Sequence, residues 1–198
     1  MKELWNQRYA EDEYIYGTAP NMLVKEFIDQ AEAGKILFAA EGEGRNAVYA
    51  AKHNWQVDAV DYSEEGRKKA LLLAKQENVT INYTVSDILN YELEENKYDA
   101  IALIYFHMPP TIRQEIHQRM INALKPKGHI LLMAFDKKQI NNDSGGPKKI
   151  ELLYNKELIE DDFKGLNFLK FEEKELHLEE GTFHSGISDN ILLIAQKP

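Results

Sequence analysis

From residue 35 onward the chain alternates short, uninterrupted apolar runs with stretches of helical periodicity, and this alternation constrains the fold most. Ile36-Leu37-Phe38-Ala39-Ala40, Gln56 to Val60, Ile81 to Val85, Tyr98 to Ile104 and His129 to Phe135 read as strands, the most continuous of them buried on both faces. Between them, 46–53 reads as a helix. A second helix runs from a Ser63 N-cap to about Asn78, with Glu64 and Glu65 in the first turn, where the helix dipole favours anions. A third follows Pro109-Pro110. There Thr111 and Gln114 have capping-box spacing, and Ile112, Ile116, Met120, Ile121 and Leu124 mark one face. Lys125-Pro126-Lys127-Gly128 is expected to stop it. Strand–helix repetition of this kind builds a doubly wound, mostly parallel sheet with helices on both faces.

The last third breaks the pattern. Residues 137–149 are polar, contain Gly145-Gly146-Pro147, and read as a loop open to movement. A helix near Lys156 to Phe163 precedes two strand-like stretches, Leu166 to Leu178 and Ile187 to Gln196, with no helix between them. The expected fold class is therefore α/β, a seven-stranded sheet closed by a C-terminal antiparallel hairpin. We expect a single domain over 1–198: an N-terminal segment and helix (1–34), a cofactor-binding core (35–136), and a loop, helix and hairpin (137–198).

Composition limits the chemistry. No cysteine is present, which removes disulfides, thiolate metal sites and cysteine nucleophiles together. His53, His107, His117, His129, His177 and His184 show no paired zinc spacing, so no metal is expected. A formal charge of -9, with basic residues only in short clusters such as Arg67-Lys68-Lys69, disfavours nucleic acid. No apolar run approaches the roughly 18 residues of a membrane span, so no membrane partner is expected. The opening Met1-Lys2-Glu3-Leu4-Trp5-Asn6 lacks the apolar core of a signal peptide, and a cytoplasmic location is expected.

Open α/β sheets bind ligands at the carboxyl ends of their strands. The first strand here ends in Ala40-Glu41-Gly42-Glu43-Gly44-Arg45-Asn46-Ala47, the second in Asp61 and the third at Ser86-Asp87. Gly42 and Gly44 allow a tight turn and close backbone approach. Asp61 suits the two hydroxyls of a ribose, and Asp87 an exocyclic amine of adenine. Each residue also has a structural reading: the glycines as turn formers, Asp61 and Asp87 as caps. The glycine spacing also fits a dinucleotide site. Glu41 and Glu43 are unwelcome beside a pyrophosphate, however, and the terminal hairpin is unlike most dinucleotide folds.

On these residues the chain resembles the class I S-adenosylmethionine-dependent methyltransferases, nearest to the small bacterial tellurite-resistance and thiopurine methyltransferase-like group. That family's loop often reads D-x-G-x-G-x-G-R-N. Gly42, Gly44, Arg45 and Asn46 match it, whereas Phe38 replaces the acid and Ala40 the first glycine. The resemblance implies that Asp61 binds the ribose, Tyr62 packs on adenine, and Asp87 and Ile88 contact it. It also implies that the segment Trp5 to Asn21, with Tyr16, covers the cofactor, and that Lys125 to Gly128 forms the turn before the fifth strand. Glu180 to Gly186 resembles the group's hairpin pattern. Glu41 is the candidate to replace the missing acid at Phe38.

The implied cofactor is S-adenosyl-L-methionine, with S-adenosyl-L-homocysteine as product, and the implied partner is a small-molecule acceptor such as a thiol or chalcogen oxyanion. In-line methyl transfer to a thiolate needs no general base, so no catalytic residue follows from it. The end of the fourth strand is expected to border the methyl group, and Tyr105 and His107 there are the catalytic candidates, His107 as a base or acceptor-binding group or, alternatively, as a hydrogen-bonded structural residue. Trp5, Tyr9, Tyr14, Tyr16, Tyr105 and Phe106 are candidates to surround a sulfonium by cation–π attraction. A non-catalytic adenosylmethionine-binding module and an NAD-dependent oxidoreductase remain open alternatives, and the sequence leaves oligomeric state undetermined.

Overall fold

The computed structural model describes residues 2–198; Met1, the first residue of the expected N-terminal segment, lies outside the described residues. The seven strands belong to one mixed sheet. The chain's contacts gather into two compact units: 1–92 with 180–183, and 93–179 with 184–198.

The first unit holds α1 (Lys2–Tyr9), α2 (Met22–Ile28), β1 (Lys35–Ala39), α3 (Arg45–Lys52), β2 (Gln56–Asp61), α4 (Glu64–Gln76) and β3 (Asn82–Val85). Its strands run parallel in the order β3-β2-β1, with Ala39 opposite Val60 and Asp61 opposite Val85. That register aligns the three carboxyl ends. Ile36, Leu37 and Phe38 are buried with Val57, Ala59 and Val60, as continuous apolar strands require. Phe38 is therefore a core side chain at the position where the family's acid is usual. Ser63 caps α4 as expected, its hydroxyl accepting the Gly66 N–H at 3.0 Å.

The second unit holds β4 (Tyr98–Ile104), α5 (Pro110–Ala123), β5 (Leu124–Phe135), α6 (Lys156–Asp162), β6 (Asn167–Glu179) and β7 (Ser185–Gln196). β4 and β5 are parallel, and β7 pairs antiparallel with both β5 and β6, which gives the expected terminal hairpin.

Three local expectations are corrected here. Thr111 does not cap α5: Pro109 is the N-cap, without a side-chain bond, and Pro110 opens the helix because its fixed φ suits the first helical position. Lys125 to Gly128 is not a separate turn but the start of β5. Lys127 at φ +66 and a register shift between Tyr98 and Ala100 accommodate it. Residues 137–149 are pinned rather than loose. A 3-10 turn, Lys137–Asn141, buries Gln139, whose Nε2 donates to Ser144 Oγ at 2.9 Å while its Oε1 accepts the Asp189 N–H at 2.9 Å.

α5 and α6 are joined by a buried charge network. Arg113 donates to both carboxylate oxygens of Asp162, at 2.6 and 3.2 Å, and His117 Nδ1 bonds Asp162 Oδ2 at 2.8 Å. Burial pushes the Asp162 pKa up, but the bonds from His117 and Arg113 prevail and hold it below the usual carboxylate range.

Candidate active site

The turn after β1 is built from strained backbone and buried acids. Ala40 has φ +55, a left-handed conformation that costs an L-residue roughly 1–2 kcal/mol. Gly42 and Gly44 follow at φ +62 and +89. A Cβ at Gly42 would lie 2.6 Å from the Tyr9 hydroxyl, and one at Gly44 2.5 Å from Ala70 Cβ. Both glycines thus let α1 and α4 close on the turn.

Asp61 stands at the last position of β2, beside this turn. Its Oδ2 accepts the Gly42 N–H at 3.1 Å and its Oδ1 the Ser63 N–H at 2.8 Å. The Tyr62 N–H also bonds the carboxylate, which leaves one of its four lone-pair sites. Burial lifts the Asp61 pKa from 3.8 to about 6, against the opposing backbone hydrogen bonds. Glu41 is also buried. Its Oε1 accepts the Asn46 and Ala47 N–H groups at 2.9 and 2.8 Å, which anchors the turn to the start of α3, and its Oε2 lies 3.4 Å from Asn46 Nδ2. Burial raises its pKa from 4.5 to about 7, outweighing those hydrogen bonds.

An aromatic shell surrounds the Gly42–Asp61 contact. Tyr83 donates its hydroxyl hydrogen to Gly42 O at 2.6 Å. Tyr9 is buried, with burial and then the Asp61 charge holding its hydroxyl protonated. Trp5 lies 5.4 Å from Tyr9 and 6.4 Å from Tyr16 between ring centroids, and it hydrogen-bonds Tyr62. Burial, then Asp61 and Asp87, push Tyr62 up to about 12, so it stays a neutral phenol. Asp87 is exposed, its Oδ1 accepting the Leu89 N–H at 3.0 Å, while Ile88 beside it is buried. The first unit therefore brings together Glu41, Gly42, Gly44, Asn46, Asp61 and Tyr62, with Tyr16 beside Trp5 and Asp87 near enough to act on Tyr62; Ile88 is buried next to Asp87 in the same unit. Sequence reasoning missed Tyr83, which carries no motif signal. Asn6 lies in the expected covering segment, and its amide oxygen accepts from Ser63 Oγ at 2.7 Å.

Tyr105 and His107 belong to the second unit. Tyr105 follows β4 at φ +53, a strained state for a bulky residue of the kind that recurs at functional sites. Its ring stacks on Phe135 at 4.5 Å and meets His184 edge-on at 4.5 Å. His107 is committed on both nitrogens: Nδ1 bonds Leu152 O at 2.8 Å, and Nε2 accepts the Phe135 N–H at 3.2 Å. Burial, with His184 adding to it, lowers its pKa to about 4. This geometry is that of a structural histidine, with no lone pair left to accept a substrate proton, and it favours the structural alternative for His107 over the base.

Among the described residues, no cluster of three or more His, Asp or Glu side chains forms a metal-binding set, and no helix is long and apolar enough to cross a membrane.

Comparison with known proteins agrees with this fold. Residues 36–128 match the family described as a methyltransferase domain. The 2-heptyl-1-hydroxyquinolin-4(1H)-one methyltransferase of Mycobacteroides abscessus is 24% identical over 135 residues, 66% of this chain and 60% of that protein. The chain thus spans about three fifths of the length of the curated relative it matches. The N-methyltransferase NodS of Bradyrhizobium japonicum, in complex with S-adenosyl-L-homocysteine, superposes with a TM-score of 0.77 at 15% identity, covering 100% of this chain and 98% of that one. TehB of Haemophilus influenzae superposes with a TM-score of 0.76 at 17% identity, covering 100% and 67%. By its fold, its strand-end acids and the methyltransferase-domain match over residues 36–128, the chain is similar to the class I S-adenosylmethionine-dependent methyltransferases.

Proposed function

We propose that this protein transfers a methyl group from S-adenosylmethionine to a small-molecule acceptor, a thiol, chalcogen oxyanion or similar species, in the cytoplasm, with both units working as one methyltransferase domain. The observation that carries the reading is a glycine turn flanked by two buried carboxylates, Glu41 and Asp61. That set of acceptors suits a ligand with ribose hydroxyls, an ammonium and a sulfonium. It is unsuited to a pyrophosphate, because buried like charges repel without water to screen them.

When bound, the cofactor supplies an electrophilic methyl group, and its sulfur keeps the electron pair of the broken bond. The chain's own residues bind, orient and exclude water. In this reading Asp61 offers its carboxylate edge to the ribose, Tyr62 and Ile88 pack on the adenine, and Asp87 accepts from its amine. Gly42 and Gly44 let the backbone approach, Asn46 keeps the turn on α3, and Tyr16 contributes an aromatic wall. Glu41 turns Oε2 to the ammonium, whose charge would otherwise be desolvated alone. Tyr105 borders the acceptor. A thiolate acceptor arrives deprotonated, so orientation at near-attack distance is the protein's main contribution.

The test is a methyl-transfer screen over thiols, chalcogen oxyanions, hydroxylated heteroaromatics and small amines, read by mass spectrometry. One class should gain a methyl group with stoichiometric S-adenosylhomocysteine. Tight adenosylmethionine binding with no transfer to any class would indicate a binding module instead.

A further inference from the structure

The polar side chains of the turn Glu43 to Asn46 bond to segments far away in sequence. Glu43 is 4% exposed, and its Oε2 accepts the Ile15 and Tyr16 N–H groups at 2.9 and 3.4 Å while its Oε1 pairs with Lys69 at 2.7 Å. Arg45 is 7% exposed. Its guanidinium donates to Tyr16 O at 3.0 Å and pairs with Glu180 Oε2 at 2.9 Å. Glu180 Oε1 accepts from Asn21 Nδ2 at 3.0 Å, and Asn46 Oδ1 accepts the Asn21 N–H at 2.8 Å. Thr182 N–H closes the set on Ile15 O at 3.0 Å. Beside it Gly181, at φ +76, approaches so closely that a Cβ would lie 2.1 Å from that carbonyl.

Residues 10–21 form no helix or strand, so these bonds take the place of a regular hydrogen-bond ladder. The segment is held from one side by the glycine turn and from the other by residues 180–182. It carries Tyr16, whose ring stands near Trp5 of α1. We propose that Arg45 and Glu180 are a positioning pair that latches residues 13–21 shut, and that release of this latch sets the rate at which cofactor and product leave. The inference rests on the adenosylmethionine reading above. Its physical basis is that an ion pair shielded from water cannot lose one partner without stranding the other, so the latch is two-state rather than gradual.

Glu180→Gln keeps an acceptor for Asn21 and removes the charge facing Arg45. Stopped-flow displacement of S-adenosylhomocysteine from the full-length variant should show dissociation about ten-fold faster or more, the loss expected for a charged hydrogen bond. Association should change little. Hydrogen exchange at the Ile15, Tyr16 and Asn21 amides should accelerate in the same variant, while exchange in β1 and β2 stays unchanged. Arg45→Lys, which keeps the charge but cannot reach Tyr16 O and Glu180 together, should give an intermediate dissociation rate. The double variant should release product no faster than the more affected single one. A wild-type protein that binds no S-adenosylhomocysteine overturns the reading of the site. Wild-type binding with unchanged dissociation and unchanged exchange in both variants overturns this inference alone.

Discussion

Asp61 and Gly42 hold each other at the strand ends: the carboxylate of the last residue of β2 accepts the amide of the glycine turn at 3.1 Å. One residue thereby shapes the turn and, in the proposed function, presents the acceptor for a ribose. Asp61→Asn retains one carbonyl oxygen and the shape, whereas Asp61→Ala removes both functions. Loss of hydrogen bonds to a charged group should weaken S-adenosylhomocysteine binding by about 1.5–3 kcal/mol in the alanine variant and less in the asparagine one. Calorimetric titration checks the order; equal affinities across the three proteins would contradict it.

Glu41 and Asp61 also set a pH dependence. Burial raises their pKa values from 4.5 to about 7 and from 3.8 to about 6, so the folded state binds both protons more tightly than the unfolded state. Their contribution to stability is complete below the unfolded values and is lost as pH rises through about 6 to 7. Urea unfolding of the ligand-free protein at pH 5 and pH 8 should therefore show a smaller pH 5 advantage in Glu41→Gln than in the wild type, by about 1–3 kcal/mol. The same variant should bind adenosylmethionine less well while binding adenosine normally. An unaltered pH response would mean that Glu41 is ionised in both states.

Ala40 holds a left-handed backbone at a position where glycine is usual in the family. Ala40→Gly relieves about 1–2 kcal/mol of steric cost and adds about 0.5–1 kcal/mol of unfolded-state entropy, so a net gain of about 0.5–1 kcal/mol is expected. Thermal unfolding should shift upward. A drop in melting temperature would show that the Cβ of Ala40 makes packing contacts that outweigh the strain.

Asp162 stabilises the fold away from the binding turn. Removing it in Asp162→Ala leaves the buried Arg113 and His117 without their shared partner. The expected loss is about 3–5 kcal/mol of stability, with S-adenosylhomocysteine affinity unchanged in the protein that remains folded. Chemical unfolding and calorimetry on one preparation separate the two effects, and a loss of affinity at full folding would assign Asp162 a role in binding.

The apolar runs made the strands legible, because a strand buried on both faces leaves little sequence freedom. Ser63 was legible as a cap because its bond is local. Thr111 was misread for a related reason: its spacing to Gln114 suits a capping box, but Pro110 fixes the helix start two residues earlier. Gly42, Gly44 and Asp61 were visible as a strand-end pattern, whereas the partners of Glu43 and Arg45 were not. Those partners lie at Ile15, Tyr16 and Glu180, brought together only by tertiary folding. His107 looked like a candidate base because its environment is invisible in sequence. Only the bonds to Leu152 and Phe135 show both nitrogens committed.

The central claim is that this turn binds the product of methyl transfer from adenosylmethionine and not a dinucleotide. Isothermal titration of the wild-type protein with S-adenosylhomocysteine and, separately, with NAD tests it most directly. Saturable one-site binding of S-adenosylhomocysteine without detectable NAD binding is the predicted result. NAD binding at the same site with no response to S-adenosylhomocysteine would contradict the account.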